Sequence, residues 1–130
     1  MTNLIEYETA SPEVRAVYDD IRAARQTEYI NNFWKALANH PPTLWRTWEN
    51  LKEVMGGEGD IDPLTRELIY IAVSVTNGCD YCIASHTAAA RTKGLTEKGH
   101  GELLAIVAAA NSTNRLATGY QVPIDEQFKI

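Results

Sequence analysis

Val14, Val17, Tyr18 and Ile21 fall on one helical face, and Ser11-Pro12-Glu13 supplies the start ahead of them. That start combines a capping hydroxyl, a proline at the first helical position and an acid in the first turn. The pattern predicts a helix over residues 12–25. A second, over 29–38, carries Phe33, Trp34 and Leu37 on one side. It stops at His40-Pro41-Pro42, where two prolines break one helix and open another. Leu44, Trp45, Trp48, Leu51, Val54 and Met55 mark the third, over 42–55, which ends in the loop Gly56-Gly57-Glu58-Gly59-Asp60.

Asp62-Pro63 repeats the first start signal. The apolar run Leu68 to Val75 behind it has the composition of a buried strand. No other stretch offers a partner strand, and a lone strand leaves its backbone groups unpaired. The run therefore reads as a central helix over 64–75, apolar on most sides and buried. Gly78 breaks it. A fifth helix runs from about Cys79 to Lys93, with Gly94 as a left-handed cap. Thr96 caps a short turn, and Gly99 and Gly101 weaken the helical pattern around them. A sixth helix covers 102–118 before Gly119 and Pro123 end it. The expectation is an all-α, single-domain bundle of about six helices over residues 1–130. Residues 1–10 form a flexible arm and 120–130 an extended tail.

Length and charge narrow the function. A chain of 130 residues fits one domain and can bury a core without staples. Its formal net charge of −5, with no Lys/Arg cluster, argues against nucleic acid or an anionic membrane as partner. The longest apolar run is far below the roughly 20 residues of a membrane span. Met1-Thr2-Asn3-Leu4-Ile5-Glu6 lacks the basic and apolar regions of a secretion signal, so a cytoplasmic location is expected. In a reducing compartment, two cysteines three apart read as catalytic or metal-binding rather than as a structural staple.

Those cysteines lie in Thr76-Asn77-Gly78-Cys79-Asp80-Tyr81-Cys82-Ile83-Ala84-Ser85-His86, and Glu67 is an acid in the apolar run before it. On a helix, Cys79, Cys82 and His86 share a face. Bringing a thiol from its ordinary pKa of about 8.5 to near 7 requires about 2 kcal/mol. A helix N-terminus supplies about 0.3–1 kcal/mol, and Asp80 opposes it, so a base or a cation is needed, and His86 is the only histidine near in sequence. His86 lies one turn from Cys82 but about 10 Å along the axis from Cys79. Cys82 is thus the thiol His86 can deprotonate, Cys79 the resolving thiol, and Glu67 the acid that orients His86.

Glu67, eleven residues, Cys79-x-x-Cys82, three residues, His86 is similar to the pattern of the alkyl hydroperoxidase D-like proteins in the carboxymuconolactone decarboxylase superfamily. Leu64-Thr65-Arg66-Glu67-Leu68-Ile69, Asn77-Gly78-Cys79, Cys82-Ile83-Ala84 and Asn114-Arg115-Leu116-Ala117 also resemble it, and the resemblance covers residues 30–125. It implies an all-α fold assembled as a homotrimer or homohexamer. It implies that Cys82 attacks a hydroperoxide, that Cys79 resolves the product as a disulfide, and that Glu67 and His86 relay protons. No organic cofactor is needed. The cycle calls for a thiol or dithiol reductant protein, lipoyl- or thioredoxin-like. One position departs from the family: Tyr81 stands where alkyl hydroperoxidase D has a second histidine, so the relay is one member short.

Other readings stand beside this one. The chain could be a protein disulfide reductase without efficient peroxidase activity. Cys79, Cys82, His86 and Glu67 could instead be four zinc ligands of a non-catalytic oligomeric stress protein, although three ligands on one helix cannot easily surround a tetrahedral ion. As bland alternatives, the cysteines are small buried residues, Glu67 is a surface acid, His86 is a core histidine, and Tyr81 and the tryptophans are packing.

Overall fold

The computed structural model describes residues 1–129, which hold six α-helices and no strand. These are α1 (Pro12–Arg25), α2 (Asn32–Leu37), α3 (Pro41–Gly56), α4 (Pro63–Asn77), α5 (Asp80–Thr92) and α6 (Glu97–Gly119). Contacts group the chain into two compact units, one of Met1–Glu58 and one from Gly59 on. The division falls in the glycine-rich loop after α3.

In the first unit α1 begins where its start signal sits, with Ser11 Oγ accepting from the Val14 amide. Its stripe of Val14, Val17, Tyr18 and Ile21 is buried, with Ile30, Trp34, Ala38, Leu44 and Trp48 completing the cluster. Trp34 and Trp48 meet edge to face at 5.5 Å between centroids, and Trp48 Nε1 donates to Asp20 at 2.7 Å. The second helix is shorter than the predicted 29–38. Asn31 is extended and is its N-cap, so residues 29–31 stay outside it. The N-terminal arm is tied to this unit. Tyr18 Oη donates to the Ile5 carbonyl at 2.7 Å, Ile5 N–H donates to the Lys35 carbonyl at 3.1 Å, and Glu6 pairs with Lys35 at 2.9 Å.

In the second unit α4 starts at Asp62, whose carboxylate accepts from the Thr65 amide and hydroxyl. The end of α4 and the start of α5 form one device. Gly78 takes the left-handed conformation at φ 73°. Its N–H reaches the Val75 carbonyl, and Cys79 N–H reaches the Ser74 carbonyl at 3.0 Å, a Schellman closure. The chain then re-enters a helix at once, so α4 and α5 fold back as a hairpin with the most extensive contact of any helix pair. A second Schellman closure, at Gly94, ends α5: Gly94 N–H to Arg91 O and Leu95 N–H to Ala90 O.

Two expectations change here. The sixth helix starts at Glu97 rather than 102, because Thr96 Oγ1 accepts from the Gly99 amide at 3.0 Å and caps the long helix itself. Gly99 serves that cap: an added Cβ would stand 3.2 Å from Thr96 Oγ1. The central helix is also less buried than its composition suggests. Its enclosed stripe is Glu67, Ile71 and Ser74, while Ile69 and Val73 are about half exposed. In the tail, Gln121 takes a left-handed turn, Glu126–Phe128 is a short 3₁₀ helix, and Ile130 lies outside the described residues. No helix among the described residues is long and apolar enough to cross a membrane.

Two glycines should answer oppositely to alanine. Gly78→Ala is expected to destabilise the chain by about 1–2 kcal/mol, the cost of a Cβ at positive φ. Gly101→Ala, inside α6 with open space at its Cβ, is expected to stabilise it by up to about 1 kcal/mol. Urea unfolding of both variants measures the two signs.

Candidate functional site

All four residues singled out by spacing lie on the α4–α5 hairpin, within the second unit. Cys79 is the N-cap of α5, Cys82 lies in its first turn and His86 one turn further. Glu67 comes from the start of α4, which the hairpin sets opposite the second half of α5.

The two cysteines are joined as a disulfide, with their α-carbons 5.4 Å apart, inside the range such a bond allows. Cys79 Sγ also accepts from the Cys82 amide at 3.3 Å, so the sulfur occupies the capping site that a serine or aspartate oxygen fills elsewhere. Both residues are half-buried. A sulfur there can be reached from solvent while its helix terminus is held by two closures.

Glu67 is 6% exposed, and each of its carboxylate oxygens has a partner. Oε2 is 2.7 Å from His86 Nδ1, and Oε1 is 3.2 Å from Lys93 Nζ. Burial alone would raise the Glu67 carboxyl. The hydrogen bond and charge of His86, joined by the charge and hydrogen bond of Lys93, outweigh burial and hold it below its ordinary value. An ionised carboxylate only accepts hydrogen bonds, so Nδ1 carries the proton toward Glu67 and Nε2 is the nitrogen left to take another. Tyr70 lies three residues after Glu67 on the same face of α4. Its ring stacks on the His86 imidazole at 3.7 Å between centroids and 22° between planes. The imidazole is therefore fixed by a bond at its edge and a ring against its face.

The arrangement sets a closed cysteine pair at the start of α5 and a carboxylate-oriented imidazole one turn beyond the second cysteine. With the two cysteines joined to each other, no three Cys, His, Asp or Glu side chains among the described residues converge into a set able to hold a metal ion. Tyr81, at the family's second histidine position, is 44% exposed.

Lys93 and Tyr70 do not stand out in the sequence. Lys93 lies seven residues after His86, two turns along the same face, and Tyr70 lies at i+3 from Glu67. Those spacings are visible there, but the register of the hairpin that makes them matter is not.

A model of the Carboxymuconolactone decarboxylase family matches residues 41–124. The uncharacterised protein H16_B0147 of Cupriavidus necator is 32% identical over 82 residues, 63% of this chain and 72% of that protein. An alkyl hydroperoxide reductase AhpD of Solibacter usitatus is 38% identical over 64 residues, 49% of this chain but only 34% of that protein. Among solved structures, the crystal structure of an alkylhydroperoxidase AhpD core from Rhodospirillum rubrum superposes with a TM-score of 0.94 at 53% identity. The match covers 100% of this chain and 97% of that one.

The buried carboxylate sets an acid limit on stability. A carboxyl held below its unfolded value contributes stability that is complete above that value and is lost as pH falls through the folded one. The difference in unfolding free energy between the native chain and Glu67→Gln is therefore expected to be full above about pH 5 to 6 and to shrink below its ordinary value of about 4.5. Urea unfolding across a pH series measures it.

Proposed function

We propose that this chain, which belongs to the carboxymuconolactone decarboxylase family, is a thiol-dependent peroxidase of the alkyl hydroperoxidase D-like type. The observation that carries the reading is the 2.7 Å bond between His86 Nδ1 and the buried Glu67 carboxylate. It orients a base one turn from a cysteine already paired with Cys79. The structural likeness to the AhpD core, over nearly the full length of both chains, supports it.

In the reduced chain His86 Nε2 takes the Cys82 proton. The thiolate attacks the terminal oxygen of a hydroperoxide, the O–O bond breaks, and the proton goes to the departing alkoxide. The products are an alcohol and a Cys82 sulfenic acid. Cys79 attacks that sulfur, water leaves, and the disulfide seen in the structure forms. A thiol or dithiol reductant protein, lipoyl- or thioredoxin-like, then attacks the disulfide and returns both cysteines to thiols, becoming oxidised itself. We place this cycle in the cytoplasm, where such reductants operate.

The chain is further proposed to work as a homotrimer or homohexamer. Ile69 and Val73 of α4 and Ile106 and Leu116 of α6 are each about half or more exposed, and apolar surface of this kind favours covering by a further copy. A second reading, protein disulfide reductase, is favoured by the placement of Cys79 at the helix N-cap, a position that suits an exchanging sulfur.

Stopped-flow mixing of the fully reduced protein with one equivalent of an organic hydroperoxide, followed by thiol counting and intact mass, separates these readings. Loss of both thiols and of two hydrogens within seconds is expected. Cys82→Ser is expected to be inert, and Cys79→Ser to stop with one added oxygen. A Cys82→Ser chain that consumes peroxide at the native rate overturns the assignment. Thiols that survive for many minutes in the native chain favour disulfide exchange.

A further inference from the structure

We propose that Lys93 is a positioning residue of the Glu67–His86 relay, fixing the charge and the rotation of the Glu67 carboxylate so that His86 keeps the tautomer a base requires. This rests on the functional reading above, in which His86 Nε2 accepts the Cys82 proton.

Glu67 is buried, and a buried carboxylate with one free oxygen is costly to keep ionised. Its two oxygens are divided between two donors on one helix: Oε2 faces His86 Nδ1 at 2.7 Å and Oε1 faces Lys93 Nζ at 3.2 Å. With both ends held, the carboxylate plane cannot turn away from the imidazole. These two are also the titratable groups bonded to Glu67. Helix α6, likewise packed on α4, carries Glu97, Lys98, His100, Glu102 and Arg115. Among the described residues none of them is a hydrogen-bond or ion-pair partner of Glu67, and Glu97 pairs with Arg91 instead.

Charge decides the tautomer. An ionised Glu67 can only accept, which requires the proton on Nδ1 and leaves the Nε2 lone pair for a thiol proton. A neutral Glu67 can donate to Nδ1, which moves the ring proton to Nε2 and removes the base. Burial pushes Glu67 toward the neutral form, and Lys93 is one of the two groups opposing that push. Lys93 sits as the C-cap residue of α5, immediately before the Gly94 closure, so its backbone is anchored where the side chain must start. Its side chain is 35% exposed, which leaves the ammonium part of its hydration while it holds the acid.

The test uses full-length reduced protein with ¹³C-labelled glutamate, as native chain, Lys93→Met and Lys93→Arg. The Glu67 carboxyl signal is titrated by NMR, and the hydroperoxide rate constant is measured at about pH 5 and about pH 7. Lys93→Met is expected to move the Glu67 midpoint upward. Its rate, relative to native, should fall about two- to fivefold further at the lower pH, the range for a partly exposed ion pair. Lys93→Arg should restore both. An unchanged Glu67 midpoint, a rate loss equal at both pH values, or a failure of Arg to rescue overturns the proposal. If the native chain consumes no hydroperoxide, the functional reading falls on that result, and the Glu67 midpoint alone then decides what Lys93 does.

Discussion

A carboxylate buried between two helices must be paired or it will not stay charged, and the α4–α5 hairpin is arranged around that constraint. Glu67 supplies the charge, and His86 and Lys93 supply the partners. The pairing contributes to the helix–helix contact and to the site at once. Removing a partner leaves the buried Glu67 carboxylate short of a complement, which burial penalises. The stripe of α4 that faces inward is Glu67, Ile71 and Ser74, so two of its three enclosed side chains are polar. An apolar stripe would pack as well. This one holds an imidazole in place.

The register that brings these groups together is set a short distance away, by Gly78. Its left-handed conformation lets the chain leave α4 through two closing hydrogen bonds and enter α5 at the next residue. Cys79 is both the end of one motif and the start of the next: its N–H closes α4 and its sulfur caps α5. A longer link would have let α5 slide along α4, and a slide of one residue turns a helix by about 100°. His86 and Lys93 would then face away from Glu67. The short link thus converts a conformational freedom of glycine into the geometry of the Glu67, His86 and Lys93 cluster.

Much of this is legible in the residues alone, and the boundary of legibility is physical. Cys79, Cys82 and His86 share a helix face by spacing alone, and the cap signals at Ser11 and Asp62 place two helices correctly because capping is local. Glu67 needs one further step, that α4 and α5 pack together, and the structure supplies it. Lys93 and Tyr70 depend on the register of that packing, which no local pattern states. The early start of α6 is hidden because Gly99 and Gly101 read as helix breakers. Gly99 instead makes room for the Thr96 cap. The exposure of Ile69 and Val73 is hidden for the opposite reason. Composition announces that apolar side chains will be covered but not by what.

The helix start acts on both sulfurs. Cys79 at the N-cap meets the positive end of the α5 dipole, an effect of about 0.3–1 kcal/mol, and Asp80 in the same first turn opposes it. That is short of the roughly 2 kcal/mol needed to ionise a thiol near neutral pH. Cys82, in the first turn of the same helix, shares that end, and in the proposed cycle it also relies on the base one turn away. Under the proposed cycle the same base then serves both halves. It removes a proton when Cys82 attacks and returns one when Cys82 leaves as the reductant attacks Cys79. Both steps call for a ring held in one orientation, and the geometry supplies that: Glu67 Oε2 holds Nδ1 at 2.7 Å, the Tyr70 ring covers the imidazole face, and Lys93 holds the other carboxylate oxygen.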